Sequence, residues 1–468
     1  MNLHLTVLLL YAGVLMTVGL WVSRRVRSTS DFFVAGRRLG PGLVFATLLA
    51  ANIGAGTSVN AAGLGYQDGL SAWWWVGSAG IGSMALAFWF GPRLRRLAAA
   101  HDLHTVGDFL EHRYGPQVRG TIAALLWVGS VGLLAAQLIA MGIVLNAVTG
   151  LDRWVGSVIG GVVVTVYFTA GGLLTSVWVN VVQLAVLLVG FAVTFPMILA
   201  SVGGLTPVLE ATRGIDGYWN PWQSGESGWF LLAMLGPSFI VSPGILQRVY
   251  AARDDRAVRL GVGLTGVAML LYAAAPALLG MAARTVSSDL PNQNLALPTL
   301  MVEQLPPLVG ALGIAAIFSA EVSSADALLF MLATSLSRDL YRRFVRPDAS
   351  DAQVLRVARI AAIAGGTLGI VVAMLSASIV AALSFFYTLL AVSLFVPLLV
   401  GLHARRVRTP EALASIAAGV AVAAIVRMTA ADGGATWVDP ALLGIGGALA
   451  AMLVAMAVTR NQSVEMSS

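Results

Sequence analysis

LLAANIGAGTSVNAAGLG, residues 48–65, is an apolar stretch with Gly54 and Gly56 at its centre. Its flanks read as helix, and two glycines this close together read as a place where the helix opens. A second stretch has the same construction: LLAMLGPSFIVSPGILQRV, residues 231–249, carries Gly236, Pro237, Pro243 and Gly244. Each sits in an apolar run of about 20 residues, the length that crosses a bilayer. Gly and Pro are common in membrane helices, so either stretch alone admits a packing explanation. Their pairing is more informative. Unwinding frees carbonyls that suit a cation and exposes helix N-termini that suit anionic groups.

Runs of this kind recur from end to end. Of the 468 residues 58% are hydrophobic and 11% charged, with a mean hydropathy of +0.85. A soluble domain is nearer 25% charged. The expected fold is therefore an all-α polytopic membrane protein. Thirteen apolar spans are read, near 4–23, 40–66, 70–91, 119–149, 154–171, 176–203, 228–247, 258–283, 305–337, 355–375, 378–402, 411–428 and 438–459. The first, LTVLLLYAGVLMTVGLWV, is too long for a signal-peptide core and lacks a basic flank, so it is expected to be a retained helix.

With the N-terminus outside, alternation of these spans places 24 of the 28 arginines inside and leaves Arg153, Arg213, Arg284 and Arg427 outside. The +6 formal charge is then an orientation signal, not the clustered basic face of a nucleic-acid binder. The expected place is a bacterial cytoplasmic membrane, with the C-terminus inside. Cysteine and lysine are both absent, which excludes disulfides, thiol nucleophiles and lysine chemistry. HExxH and GxSxG are absent too, and no enzyme is expected.

The two interrupted spans, second and seventh, are five helices apart, and an odd separation inverts their topology. Matching breaks in two inverted halves point to a midplane solute site in a secondary transporter. The division expected is an extra helix over 1–30, a first repeat over 31–203, a second over 204–403, and two further helices with a short cytoplasmic tail over 404–468.

SAEVSSADALL, residues 319–329, puts two carboxylates into hydrocarbon. A charge there costs several kcal/mol, so such residues usually have a partner and a task. Sodium, a hard cation, takes oxygen ligands. Ser323 and Ser324, facing carbonyls released near Ala50 and Ile53, would form such a cage; they could instead bond back to their own helix. At about 100° per residue Ser319, Ser323 and Asp326 share a face, continued by Ala320, Ser324 and Ala327, while Glu321 points to the neighbouring side. Asp326 is thus the better candidate for a cation-facing or proton-carrying carboxylate. Glu321 reads as a packing partner held neutral or as an acceptor for hydroxyls on an adjacent helix, and the two acids could also form an internal pair.

These residues resemble the sodium:solute symporter family, over about Asp31 to His403. DFFVAGRRLGP (31–41) looks like its first inside loop and LAANIGAG (49–56) like its broken first core helix. YFTAGGLLTSVWVNVVQ (167–183) resembles its Gly-Gly signature. GILQRVYAARD (244–254) is similar to the loop after the second broken helix, and SSADALLFMLATSLSRDLYRR (323–343) to the sodium-binding helix. The resemblance implies a LeuT-like core of two inverted five-helix repeats. It also implies a sodium site of the Ala50, Ile53 and Ala320 carbonyls with the Ser323 and Ser324 hydroxyls. The serines are aligned from the downstream RDLY; alignment from the upstream AAIF would move them to Ser319 and Ala320. A possible second cation or proton site involves Asp326, with Glu321 and Ser319. Departures are Asn180, where the signature often has Asp, Asn52, where the proline branch has Asp, and Thr57, at the sugar branch's Gln. With no acid in LSAWWWVGSAGIGSMALAFWF (70–90) and no lysine, a sugar is disfavoured.

Solute-binding candidates are Asn52, Gly54, Thr57, Ser58 and Asn60 on the first broken helix, Trp73 and Trp74, Gln137, Ser238 and Ser242 on the second broken helix, and Phe386, Tyr387 and Thr388. The tryptophans would equally serve as an interfacial belt. No buried Arg or Lys is expected to meet a solute carboxylate. The function expected is sodium-coupled import of a small organic solute. The alternatives are proton coupling through Asp326 or Glu321, uniport, and a membrane sensor, for which the tail TRNQSVEMSS is short. The expected partners are the solute, sodium as the only metal, and lipid; no organic cofactor is expected.

Overall fold

The computed structural model describes residues 3–23, 39–376, 378–431 and 439–465, with side chains at 22–23, 170–178, 180–181, 223, 430–431 and 460–465 outside the description. Asn180 and residues 31–38 of the first family-like loop therefore lie outside it. Among the described residues the one sheet is a hairpin of Gln223–Ser224 with Ser227–Gly228, and everything else regular is helical. Nine of these helices are long and apolar enough to cross a membrane, or eleven when two bent pairs each count as one span.

Those two bent pairs are the two interrupted stretches. After α1 (Leu3–Ser23), α2 (Pro41–Asn52) stops because Ile53 turns extended, at φ −92 and ψ 110. Helix resumes as a π turn, Gly56–Asn60, and α3 (Ala61–Asp68), with the axis bent by 68°. Gly69, at φ +78, begins the 3-10 turn that reverses the chain into α4 (Trp73–Ala85) and α5 (Gly91–Ala100). The second break is shorter. α10 (Leu231–Val241) ends at Ser242 (φ −52, ψ 122), and Pro243 starts α11 (Pro243–Ala251) at 41° to it. Pro243 has no N–H to give to the turn before it, so the ladder must end there.

α11 corrects one reading: GILQRVYAARD is mostly helix, running to Ala251 before the loop begins. α6 (Val106–Tyr114) also lies where a loop was read. Its start was visible in HTVGD: Thr105 Oγ accepts from the Asp108 N–H at 3.0 Å, and the Asp108 carboxylate accepts from the Thr105 N–H at 3.0 Å.

α7 (Pro116–Thr149) is followed by α8 (Arg153–Ser201), helical throughout where two spans were read. At 1.5 Å per residue a straight helix of 49 residues would be far longer than a bilayer is thick. Its two halves pack against different helices. α15 (Pro307–Thr334) and α16 (Asp351–Leu375) serve as rulers. Arg153 donates to the Ser376 carbonyl, Gly161 abuts Ile370, and Thr165 meets Gly366, so this half descends α16 from its C-terminal end. Gln183 accepts from Ser319, Gly190 abuts Ala316, and Thr194 meets Gly313, so the other half runs toward the start of α15.

The remaining helices are α9 (Leu205–Ala211), α12 (Asp255–Tyr272), α13 (Ala274–Ala283), α14 (Ala296–Glu303), α17 (Ile379–His403), α18 (Thr409–Ala431) and α19 (Pro440–Glu465). α15 packs against α1, α7, α8 and α16, and it continues as a π-helical segment, Ser335–Val345. Arginines tie one face together. Arg119 pairs with Asp108 at 2.9 Å, with Glu111 at 2.8 Å and with Asp339, joining α6, α7 and the end of α15. Arg95 and Arg96 both reach Asp255. On the opposite face the Tyr218 hydroxyl donates to the Gly65 and Tyr66 carbonyls, and Ser227 donates to Asp68 at 2.7 Å.

Candidate cation and solute site

Opening a helix inside a membrane leaves backbone groups that need partners, each several kcal/mol if unmet. At the first break polar side chains supply them. The Gly54 N–H donates to Thr57 Oγ1 at 2.9 Å, and that hydroxyl donates onward to the Asn52 carbonyl at 3.0 Å. The Ala55 N–H donates to Gln137 Oε1 of α7 at 2.9 Å. Ser58 Oγ lies 2.7 Å from the Gly54 carbonyl and 3.2 Å from Glu321 Oε1. From α15, Ser324 Oγ donates to the Ile53 carbonyl at 3.3 Å. Four of the candidates, Thr57, Ser58, Gln137 and Ser324, thus stabilise the opened helix itself.

Ser324 and the Ile53 carbonyl meet across two elements with little space to spare. A methyl on Gly54 would lie 2.2 Å from Ser324 Oγ and 3.1 Å from Gln137 Oε1, so only glycine lets α15 approach. Ser323 is buried beside Ser324, and Ala50 and Ala320 each lie about one turn earlier on α2 and α15. Ser319 points elsewhere: its hydroxyl donates to the Gln183 carbonyl at 2.8 Å and accepts from Tyr11 at 2.7 Å.

Glu321 takes the place expected for it, as acceptor for a hydroxyl of an adjacent helix. Glu321, with no exposure, is the acid beside the break, and it acts as the hydroxyl partner of Ser58. Asp326 is equally buried, close enough to Tyr167 of α8 to act on it electrostatically.

A cavity of about 100 Å³ lies between the two breaks. Asn52, Gly54 and Thr57 line it from the first broken helix, Gln137 from α7, Ser242 from the second hinge, Ser324 from α15, and Phe386 and Tyr387 from α17. Six candidates are not on its wall: Ser58, Asn60, Trp73, Trp74, Ser238 and Thr388. Ser58 is turned to Glu321. Ser238 sits 2.6 Å from both the Met234 and Tyr387 carbonyls and fastens α10 to α17. Trp74 donates to the Pro221 carbonyl at 2.6 Å and lies against Trp222 near the opposite face. Asn60 is buried outside the lining, and Trp73 donates to the Leu270 carbonyl at 3.2 Å.

One wall residue overturns an expectation. Arg248 of α11 lines the cavity, so a cation is available there after all. It was missed because its stretch was read as a loop. Continuing the helix from Pro243 places residue 248 about one turn beyond Gly244, on the same face.

Beyond the cavity two further spaces lie toward the arginine-rich face and share wall residues with their neighbours. Met331 borders both the cavity and a narrower space of about 40 Å³, which Gln247, Ser130 and Thr334 also bound. Thr105 and Asp339 border that space and a wider cleft of about 600 Å³, where Arg338 and Arg342 lie. Toward the opposite face Leu383 and Trp75 close on Gly56.

Two opened helices around a midplane cavity, with a hydroxyl of a third helix on a freed carbonyl, define a secondary transporter. Comparison makes this specific. The model of the sodium:solute symporter family matches residues 32–419, and the chain belongs to that family of transporters. It is 26% identical to the sodium/glucose cotransporter of Vibrio parahaemolyticus, over 91% of this chain and 85% of that one. It is also 26% identical to the sodium/pantothenate symporter of Escherichia coli, over 90% and 89% of the two chains. Among solved structures, a sodium-coupled sialic acid symporter in a substrate-bound, outward-open state superposes with a TM-score of 0.80, at 19% identity and over 98% of both chains. That likeness shows the fold. The family and its relatives are transporters, not enzymes.

Proposed function

We propose that this chain imports a small organic solute together with sodium by alternating access. The Ser324 hydroxyl on the Ile53 carbonyl carries the proposal, because it couples the opened first helix to α15 at a cluster of oxygens. Sodium between them, held by the Ala50, Ile53 and Ala320 carbonyls and by Ser323 and Ser324, would draw α2 and α15 together and favour the state open to the opposite face. Solute then binds between the breaks, against Asn52, Thr57, Gln137, Ser242, Phe386 and Tyr387. Release follows past Met331 toward the arginine-rich face. Sodium and solute raise each other's affinity by the same factor. No organic cofactor takes part.

The architecture we infer has thirteen spans. They are α1, α2 with α3, α4 with α5, α7, the two halves of α8, α10 with α11, α12 with α13, and α15 to α19. Residues 31–203 and 204–403 form the inverted repeats, each opening with a broken helix. The arginine-rich face is cytoplasmic, with the N-terminus outside, in a bacterial cytoplasmic membrane. Asp326 marks a second cation or proton position, separate from the first. Full burial of Glu321 beside the break favours one other reading, proton coupling through that carboxylate.

Uptake by proteoliposomes separates these readings. A panel of labelled amino acids, organic acids, vitamins and sugars is offered with an inward sodium gradient, an inward proton gradient, or neither. Uptake that needs sodium and falls at least about tenfold in Ser324→Ala is expected. Uptake driven by protons alone, unchanged in Ser324→Ala and lost in Glu321→Gln, would replace sodium coupling with proton coupling.

A further inference from the structure

Arg248 is a charged wall of the cavity, and among the described residues no carboxylate lines that cavity. Its guanidinium donates to the Gly244 carbonyl, one turn back, at 2.6 Å. Among the described residues no Asp or Glu lines the cavity, and none of the ion pairs includes Arg248. Glu321 is fully buried and turned to Ser58. Arg248 is part-buried, and a charge on a mostly apolar wall without a counter-charge is unfavourable. Helix α11 adds to the same sign: it begins at Ser242 and Pro243 without a side-chain cap, and Ser242 and Gly244 lie on the cavity wall. The rest of the wall is apolar or uncharged, with Leu133, Phe239 and Phe386 among it.

We infer that the transported solute is a small organic anion, a short monocarboxylate whose carboxylate is bound by Arg248. This rests on the sodium-symport reading and names its substrate class. A planar guanidinium fits a carboxylate with two parallel hydrogen bonds. The aromatic and leucine wall covers the aliphatic remainder. Size agrees: about 100 Å³ is well below the roughly 300–1,000 Å³ of drug-sized sites. The charge also accounts for coupling. Sodium brings a second positive charge to a cavity that already holds one, and an anion beside both relieves the two together, so each ligand needs the other.

The test is thermal unfolding of the purified full chain in detergent, with chloride held constant and choline replacing sodium in the controls. The probes are propionate, lactate and pyruvate, with lactamide as the uncharged analogue of lactate. Wild type is expected to be stabilised by sodium, and further by at least one acid only when sodium is present, with lactamide inert. Arg248→Gln is expected to keep the sodium effect and to bind that acid at least about 30-fold more weakly, while Arg248→Lys recovers part of the loss. The inference is overturned if sodium stabilises but none of the acids binds, if lactamide binds as well as lactate, or if Arg248→Gln binds the acid as wild type does. In each of those cases the symport reading stands. Acid binding through Arg248 without any sodium effect would support the anion site and count against the symport reading.

Discussion

Ser324 and Gly54 are adjusted to each other at the scale of one methyl group. Ser324→Ala removes the hydroxyl that reaches the Ile53 carbonyl at 3.3 Å. The expected result is a sodium half-saturation raised at least about tenfold, with near-normal membrane insertion. Gly54→Ala is expected to be worse. Its new carbon would meet Ser324 Oγ at 2.2 Å, and overpacking of this kind costs about 1–3 kcal/mol. Both sodium-driven uptake and melting temperature should fall. Gln137→Leu leaves the Ala55 N–H without its acceptor, for about 1–3 kcal/mol, read as a lower melting temperature. Unchanged stability would mean that the break finds another acceptor. At this scale the sequence was partly legible. Polar residues near glycine breaks were bound to matter, because an open helix in lipid needs donors and acceptors. Which of them face the solute was not legible: Ser58 and Ser238 are consumed by backbone carbonyls and Glu321, facts of packing between distant segments.

At the scale of elements, the two hinges differ in how they are held open. The first depends on side chains from α7 and α15, the second on Pro243. Pro243→Ala restores a donor and lets α10 and α11 fuse, so uptake is expected to fall while thermal stability holds or rises; preserved uptake would show that the hinge at Ser242 is not needed. The arginine-rich face offers a contrast in ion pairs. Arg119, 13% exposed, serves three carboxylates, and its replacement by Gln leaves them facing one another. With that partial exposure the expected loss is roughly 2–3 kcal/mol, seen as a lower melting temperature. Arg96, 58% exposed, has one partner, and Arg96→Gln should change stability by at most about 1 kcal/mol. Periodicity and length found the long helices. They missed α6, whose capping box is a local signal masked by its charged surroundings, and they ended α11 early because Gln247 and Arg248 look like loop residues until the spaces they border are known.

For the whole molecule, composition already decided the environment: few charges, long apolar runs, and arginines gathered at alternate loops. The sequence reads residues 153–201 as more than one span, since no single span needs 49 residues. The absence of cysteine makes orientation directly testable. A single cysteine at Ser288, after α13, is expected to react with a membrane-impermeant maleimide added outside intact cells. One at Asp348, before α16, is expected to react only after permeabilisation. The reverse pattern would invert the proposed topology. The central claim is that sodium binds where the first opened helix meets α15, and binding of radiolabelled sodium to the purified protein tests it most directly. Saturable binding, displaced by unlabelled sodium but not by potassium and lost in Ser324→Ala, is the expected result. Saturable binding unchanged in both Ser324→Ala and Gly54→Ala would place the ion elsewhere and contradict the account.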